Sequence, residues 1–273
     1  MEYPVDPQGQ QEDQFSDIAN LWDRAVGDVL VCFAGLSFAK QPPVASYHDL
    51  EHGSPFADQK YAGGLQACVI VRYHESPIGR SSSPEDFAAA DHGEGMYDEL
   101  LWIPGAFRHP GNGKQAYRCT RAYVSKPLAV HSGCKNWNVP KACAVFEFTP
   151  AQSGNFPYSR ITVSPYRGGE PFLDLTFQST FFTRPFVTLN SRYFPLNLDF
   201  DFPPLPDDPN NSSEGLVGTS EWRRVHLEVA GKAGIVKASG TLGDGKSLPC
   251  LGERAHWIWL KQAHIRIESP ALL

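Results

Sequence analysis

Long hydrophobic runs are missing from this sequence. Its most apolar stretch, Val29–Ala39, carries Cys, Gly and Ser and falls well short of the roughly 20 residues that a membrane-spanning helix needs. Basic charge is also short: 24 Lys and Arg against 30 Asp and Glu give a formal net charge of −6. That balance argues against a nucleic-acid or anionic-membrane footprint. Cysteines are few and none is spaced Cys-x-x-Cys. Cys32, Cys68, Cys119, Cys134, Cys143 and Cys250 stand apart, so neither a zinc ribbon nor a thioredoxin-like site is indicated. The first residues are polar and acidic rather than basic and then apolar, so neither a secretory signal nor a disulfide framework is expected. Asn210-Asn211-Ser212 is accordingly read as a chance glycosylation match. These absences leave a soluble, cytoplasmic protein with a small-molecule substrate as the expectation, with no nucleic-acid and no membrane partner.

Proline and glycine, by contrast, are plentiful, 23 and 24 residues, and leave little room for long helices. Residues 1–12 are polar and read as a flexible N-terminus, with a single domain over 13–273. Phe15, Ile18, Leu21 and Trp22 recur at helical spacing and predict a helix over roughly 13–26. The chain then turns to β. Apolar or alternating runs at Leu30–Phe38, Leu65–Tyr73, Glu99–Ile103, Tyr117–Val124, Ala144–Phe148, Phe172–Phe177, Phe181–Leu189, Arg223–Val229 and His256–Leu260 predict strands. Ser76–Gly95 and Asp201–Gly218 read as loops. With no βαβ alternation, the class is α+β, mostly antiparallel β and barrel-like, with a few short helices.

Four motifs suggest chemistry. Gly240–Ser247 satisfies G-x-x-x-x-G-K-S, but Leu248-Pro249 follows at once where a phosphate-cradling loop needs a helix, so a Gly-Asp-Gly hairpin is the better reading. His48 and His52, four apart, lack an evident third ligand, and no metal is expected. Cys134 near His131 has no third group to orient a base. The fourth constellation is Tyr97-Asp98-Glu99, then Ser125 to Gly133 as a short helical turn, then Asn136-Trp137-Asn138-Val139-Pro140-Lys141. Lys141 lies among Val139, Pro140, Ala142 and Ala144, an apolar setting for a residue that otherwise reads as a strand-start lysine with its ammonium in water.

This succession, clearest over Tyr97 to Phe148, resembles the acetoacetate decarboxylase superfamily and its fungal members in particular. The resemblance implies a closed, cone-like double-sheet barrel around an apolar cavity, commonly in a homo-oligomer, and no cofactor. It makes Lys141 the Schiff-base lysine and Glu99 the active-site carboxylate, and Tyr97 is a candidate substrate contact. Trp102, Phe107, Trp137 and Phe146 then become candidates for contacting a bulky or apolar substrate, or else for filling the barrel core.

The implied chemistry is demanding. Only about one ordinary lysine in 2,500 is neutral at pH 7, and an amine attacks a ketone only when neutral. Burial or a neighbouring cation supplies the shift, and acetoacetate decarboxylase is itself an established example of such an activated lysine. Two departures separate this chain from the bacterial pattern: Ala142 stands where a second lysine follows the first, and Cys134-Lys135 where an acid is found. The function therefore stays divided. One reading is a decarboxylase-like lyase acting on a β-keto acid or polyketide-derived ketone through a Lys141 imine, in secondary metabolism. The alternative is a cyclase of the same fold (pericyclic, Michael or aldol-type) that works without covalent catalysis.

Overall fold

The computed structural model describes residues 22–51, 60–78, 95–185, 187–193, 198–206 and 218–273. The chain opens on two long strands, β1 (Trp22–Ser37) and β2 (Tyr61–Glu75), followed by β3 (Tyr97–Ile103) and the short β4 (Ala106–Arg108), β5 (Gln115–Tyr117) and β6 (Arg121–Val124). Helix α1 (Pro127–Trp137) leads into β7 (Lys141–Pro150), β8 (Tyr158–Pro165) and β9 (Leu173–Ser179). The last third holds β10 (Val187–Asn190), β11 (Asp199–Phe202), β12 (Arg223–Leu242), β13 (Arg254–Ile267) and β14 (Ala271–Leu272).

These strands close on themselves twice. One ring runs β12-β13-β1-β2-β3-β6-β7-β8-β9 and returns to β12 through the β9–β12 pairing. A second runs β12-β13-β1-β2-β4-β5-β11 and returns to β12. The four strands β12, β13, β1 and β2 belong to both. Closure of this kind leaves few exposed edges, which is how an antiparallel sheet of this size avoids templating aggregation.

Because side chains alternate across a strand, the shared strands have two buried faces. Leu30 and Cys32, Cys68 and Ile70, Leu100 and Trp102, Val236 and Ala238, and Trp257 and Trp259 point into the first ring and fill it. Their neighbours Val29, Val71, Tyr97, Val225 and Leu260 belong to a separate cluster on the other face. Tyr158 and the backbone N–H of Gln262 both bond Asp28, pinning a bulge at Gln262 (φ 44°) where β13 changes which residues face which side.

The predicted helix over 13–26 is not what residues 22–26 form: they are the start of β1, and residues 13–21 lie outside the described residues, as does the sequon. The predicted Tyr117–Val124 strand is two strands, and Phe181–Leu189 is a 3-10 turn capped by Thr180 followed by β10. One β-α-β crossover does exist. β6 and β7 are parallel neighbours, which requires a crossover connection, and α1 is that connection. Among the described residues, no helix is long and apolar enough to cross a membrane.

Candidate active site

The run that ends in Lys141 is a device for aiming one side chain. Pro127 opens α1 at a position where its missing N–H costs nothing. Asn138 closes the helix in the left-handed conformation (φ 57°), its N–H donating to the Cys134 carbonyl while that of Val139 donates to Gly133. Asn138 also donates its amide to the Glu221 carbonyl (2.7 Å). Pro140 then prevents any return to helix, and its carbonyl accepts the Ala122 N–H, locking the start of β7 beside β6. Lys141 is thus the first residue of a strand whose position is set from both sides. Its aliphatic stem lies along α1 at Gly133, where an added Cβ would stand 2.5 Å from both Cδ and Cε.

Glu99 reaches the same point from β3. Its Oε1 lies 2.6 Å from Lys141 Nζ, with both side chains buried. Glu99 Oε2 accepts hydrogen bonds from the hydroxyls of Tyr73 (3.2 Å) and Tyr97 (3.3 Å). These two tyrosines are directly opposed across β2 and β3 and stack at 4.4 Å. Burial first, and then the Glu99 charge, push both phenols well above their ordinary range, so they remain donors. Trp22 closes the group, packing edge-on against Tyr73, Tyr97 and Trp137. The thiol of Cys119 also faces the cavity but is pushed up to about 12 by burial and by Glu99, and it donates to the Arg121 carbonyl.

The ion pair opens onto a cavity of about 330 Å3, within the range of small-molecule sites. Its wall comes from β1, β2, β3, β11, β12 and β13, with Tyr117 of β5, Leu189 of β10, Trp137 of α1 and Lys141 of β7. Lys141 is the one Lys, Arg or His, and Glu99 the one Asp or Glu, among its described lining residues.

Lys141, Glu99, Tyr97 and Trp137 therefore share one cavity, whereas Trp102, Phe107 and Phe146 are not among its lining residues. The reason is strand phase. On β3, Tyr97, Glu99 and Leu101 face the cavity, so Trp102 faces the packed ring, where its indole N–H donates to Ser46 Oγ (3.0 Å). On β7, Phe146 lies in phase with Ala142 and Ala144 against that same ring. Phe107 on β4 packs on Tyr61 and Tyr47 beneath the Arg118 guanidinium. The phase of β7 also alters the meaning of Ala142. Position 142 points away from the cavity, so a lysine there would place its first atoms on the opposite face from Lys141.

Tyr73, Trp22 and Gly133 complete the site without having been singled out in the sequence. Tyr73 ends an alternating row on β2, but its pairing with Tyr97 is a fact of register.

The other motifs resolve simply. Gly240–Ser247 spans the end of β12 and the loop to β13, where the Asp244 carboxylate accepts the N–H groups of Lys246, Ser247 and Leu248. An antiparallel strand follows, not a helix. His48 is buried, and its Nδ1 accepts the Leu50 N–H; His52 lies outside the described residues. Cys134 is buried in α1, donating to the Val139 carbonyl. Among the described residues, no three His, Cys, Asp or Glu side chains are grouped to hold a metal.

Comparison with solved structures places this architecture. An acetoacetate decarboxylase-like enzyme from Sphingomonas wittichii RW1 superposes with a TM-score of 0.55 at 16% identity, covering 94% of each chain. The chain has the acetoacetate decarboxylase fold. Acetoacetate decarboxylase from Legionella pneumophila matches at a TM-score of 0.52 and 9% identity, over 99% of this chain and 98% of that one. The enduracididine biosynthesis enzyme MppR, complexed with the condensation product of pyruvate and imidazole 4-carboxaldehyde, matches at 0.51 and 14%, over 92% of this chain and 88% of that one. No family model and no curated protein matches the sequence.

Proposed function

We propose that the chain is an enzyme of carbon–carbon bond chemistry, in which Lys141 forms an imine with a β-keto acid or a polyketide-derived ketone of secondary metabolism. The observation that carries this reading is the buried contact of Lys141 Nζ with Glu99 Oε1 at 2.6 Å at the wall of an apolar cavity. An attacking lysine must surrender a proton, and Glu99 is placed to take it. The neutral amine adds to the carbonyl carbon, the oxygen leaves as water, and the protonated imine becomes an electron sink. In a β-keto acid the C–CO2 bond supplies the electron pair: carbon dioxide leaves, an enamine forms, and its carbon is then protonated. Tyr73 and Tyr97, kept protonated by burial, hold Glu99 in position through both transfers. The fold shared with acetoacetate decarboxylase supports this reading, as does the condensation product held by MppR.

Borohydride added with substrate is expected to leave a reduced adduct on the Lys141 peptide, visible by mass spectrometry. Lys141→Ala is expected to lose at least about a thousandfold in kcat. Full activity in Lys141→Ala with no adduct would sink the imine.

A second reading keeps the cavity and drops the covalent bond. The lining offers few polar groups beyond one fixed ion pair, a setting that can fold a reactive intermediate and accelerate its cyclisation by positioning. It expects Lys141→Ala to retain turnover while Trp137→Ala does not.

A further inference from the structure

The cavity's charge balance and the direction of its apolar wall bear on which ketone fits. We infer that the substrate is an uncharged ketone with an extended apolar chain, and not an oxo acid; this rests on the imine reading of Lys141.

The pairing register supplies the first observation. Glu99 on β3 lies in a row with Val71 on β2, Val29 on β1 and Leu260 on β13. The next row along the same face is Leu101, Val69, Val31 and Ile258. The row after that is Ile103, Ala67 and Phe33. All of these residues line the cavity. At two residues per step, the apolar rows extend about 13 Å beyond Glu99, roughly ten carbon atoms of extended chain. They end at Phe33, which is 48% exposed, and beyond it on the same stretch of chain Leu36 is 58% and Phe38 88% exposed. An apolar path therefore runs from the ion pair to an apolar lip in solvent.

Charge supplies the second observation. Among the described lining residues, Lys141 is the single cation, and its partner, Glu99, is already there at 2.6 Å. Glu99 in turn has its other oxygen occupied by two tyrosine hydroxyls. Ser191 Oγ accepts the Val229 N–H. A substrate carboxylate would enter as a second anion with no second cation among the described lining residues to meet it, and an unpaired buried charge is strongly disfavoured. An uncharged ketone leaves the site neutral overall. The steps still balance without carbon dioxide: the amine and the ketone lose one water to form the imine. Glu99 returns the lysine proton to the departing water and is a carboxylate again; the protonated imine then takes the electron pair of an adjacent C–H bond, the proton passing to Glu99, and an enamine is ready to attack an aldehyde or ketone.

The test uses the purified full chain. Tryptophan fluorescence measures affinity, because Trp22 and Trp137 line the cavity, and cyanoborohydride trapping with mass spectrometry measures the adduct on Lys141. The probes are linear methyl ketones of increasing length and, at matched length, 2-oxo and 4-oxo acids, which do not shed carbon dioxide unaided. Ketone affinity is expected to rise about fourfold per methylene until the rows are filled. Matched oxo acids should bind about a hundredfold more weakly. If the oxo acids bind and trap as well as the ketones, the inference is overturned and the imine stands. If the ketones bind with the expected length dependence but leave no adduct, the imine fails and the choice of ligand stands. Binding of neither class, or ketone affinity independent of length, overturns the inference.

Discussion

The two faces of the shared strands β1, β2, β12 and β13 make opposite use of one backbone. On one face, Leu30, Ile70, Trp257 and Trp259 are buried to within 1% and fill the first ring with large side chains. On the other, smaller and branched residues such as Val29, Val31, Val69 and Val71 stop short of one another and leave about 330 Å3 unfilled. The four strands are common to both faces, so along them the contrast lies in side-chain volume. A filled face stabilises the fold through dispersion and burial, while a face left unfilled forgoes those contacts and gains a binding volume. Stability and function are thereby separated by residue parity.

The contrast is most sharply broken by truncating one residue from each face. Trp102→Ala, on the filled side, is expected to cost about 4 kcal/mol, since it opens a large cavity and orphans the Ser46 hydroxyl. Val69→Ala, opposite Leu101 and already bordering empty space, should cost about 1 kcal/mol. Denaturant titration of the two variants measures this, and equal costs would remove the distinction between the faces.

Acid should act next, beside the Trp102 contact. In the segment Ser46–Glu51, whose Ser46 hydroxyl accepts the Trp102 indole N–H, His48 is held neutral by burial, its pKa lowered from 6.5 to about 4. Between those values the unfolded chain binds a proton that the folded chain refuses, so this contribution is present above pH 6.5 and is lost as pH falls toward 4. It amounts to as much as about 3 kcal/mol at ~1.36 kcal/mol per unit. Asp98, raised to about 6 by burial, works in the opposite sense, its stability being lost as pH rises. The measurement is therefore the difference between the pH–stability profiles of His48→Gln and the unsubstituted chain; parallel profiles would refute the assignment.

The smallest effect is reserved for the cavity side. Gly133→Ala places a methyl where Lys141 Cδ and Cε now lie, 2.5 Å from each. Displacing the amine should reduce kcat/KM some thirtyfold, about 2 kcal/mol. Alanine is a better helix former than glycine by about 1 kcal/mol, so Tm should hold. A fall in Tm without loss of activity would make Gly133 a packing residue only.

Much of this architecture was legible before any coordinates. The succession Tyr97, Glu99, the turn before Gly133 and Lys141 could be read through its resemblance to a known family, whereas from the residues alone Lys141 read as a strand-start lysine with its ammonium in water. The first strand was legible from Leu30 onward and only its start was missed: β1 and β13 slip register between Trp22 and Ala25 and again between Gly27 and Val29, and such bulges break the two-residue period by which a strand is read. β12 was read only as Arg223–Val229 because glycines interrupt the rest; Gly234 is needed where the Thr183 carbonyl approaches, and Gly231 where Ala263 does. Trp102 and Phe146 could not be assigned to a side from sequence, since in this sheet both sides are buried and hydrophobicity no longer marks the inner one.

The pairing of β1 with β13 joins one end of the described chain to the other. Contacts of such long range form late and set a slow folding rate. On a ribosome, Glu99 and Lys141 would emerge and could meet while β12 and β13 were still unmade. The wall that β12 and β13 place around them would arrive only once both strands had been made, so until then the Lys141 amine would stay open to water.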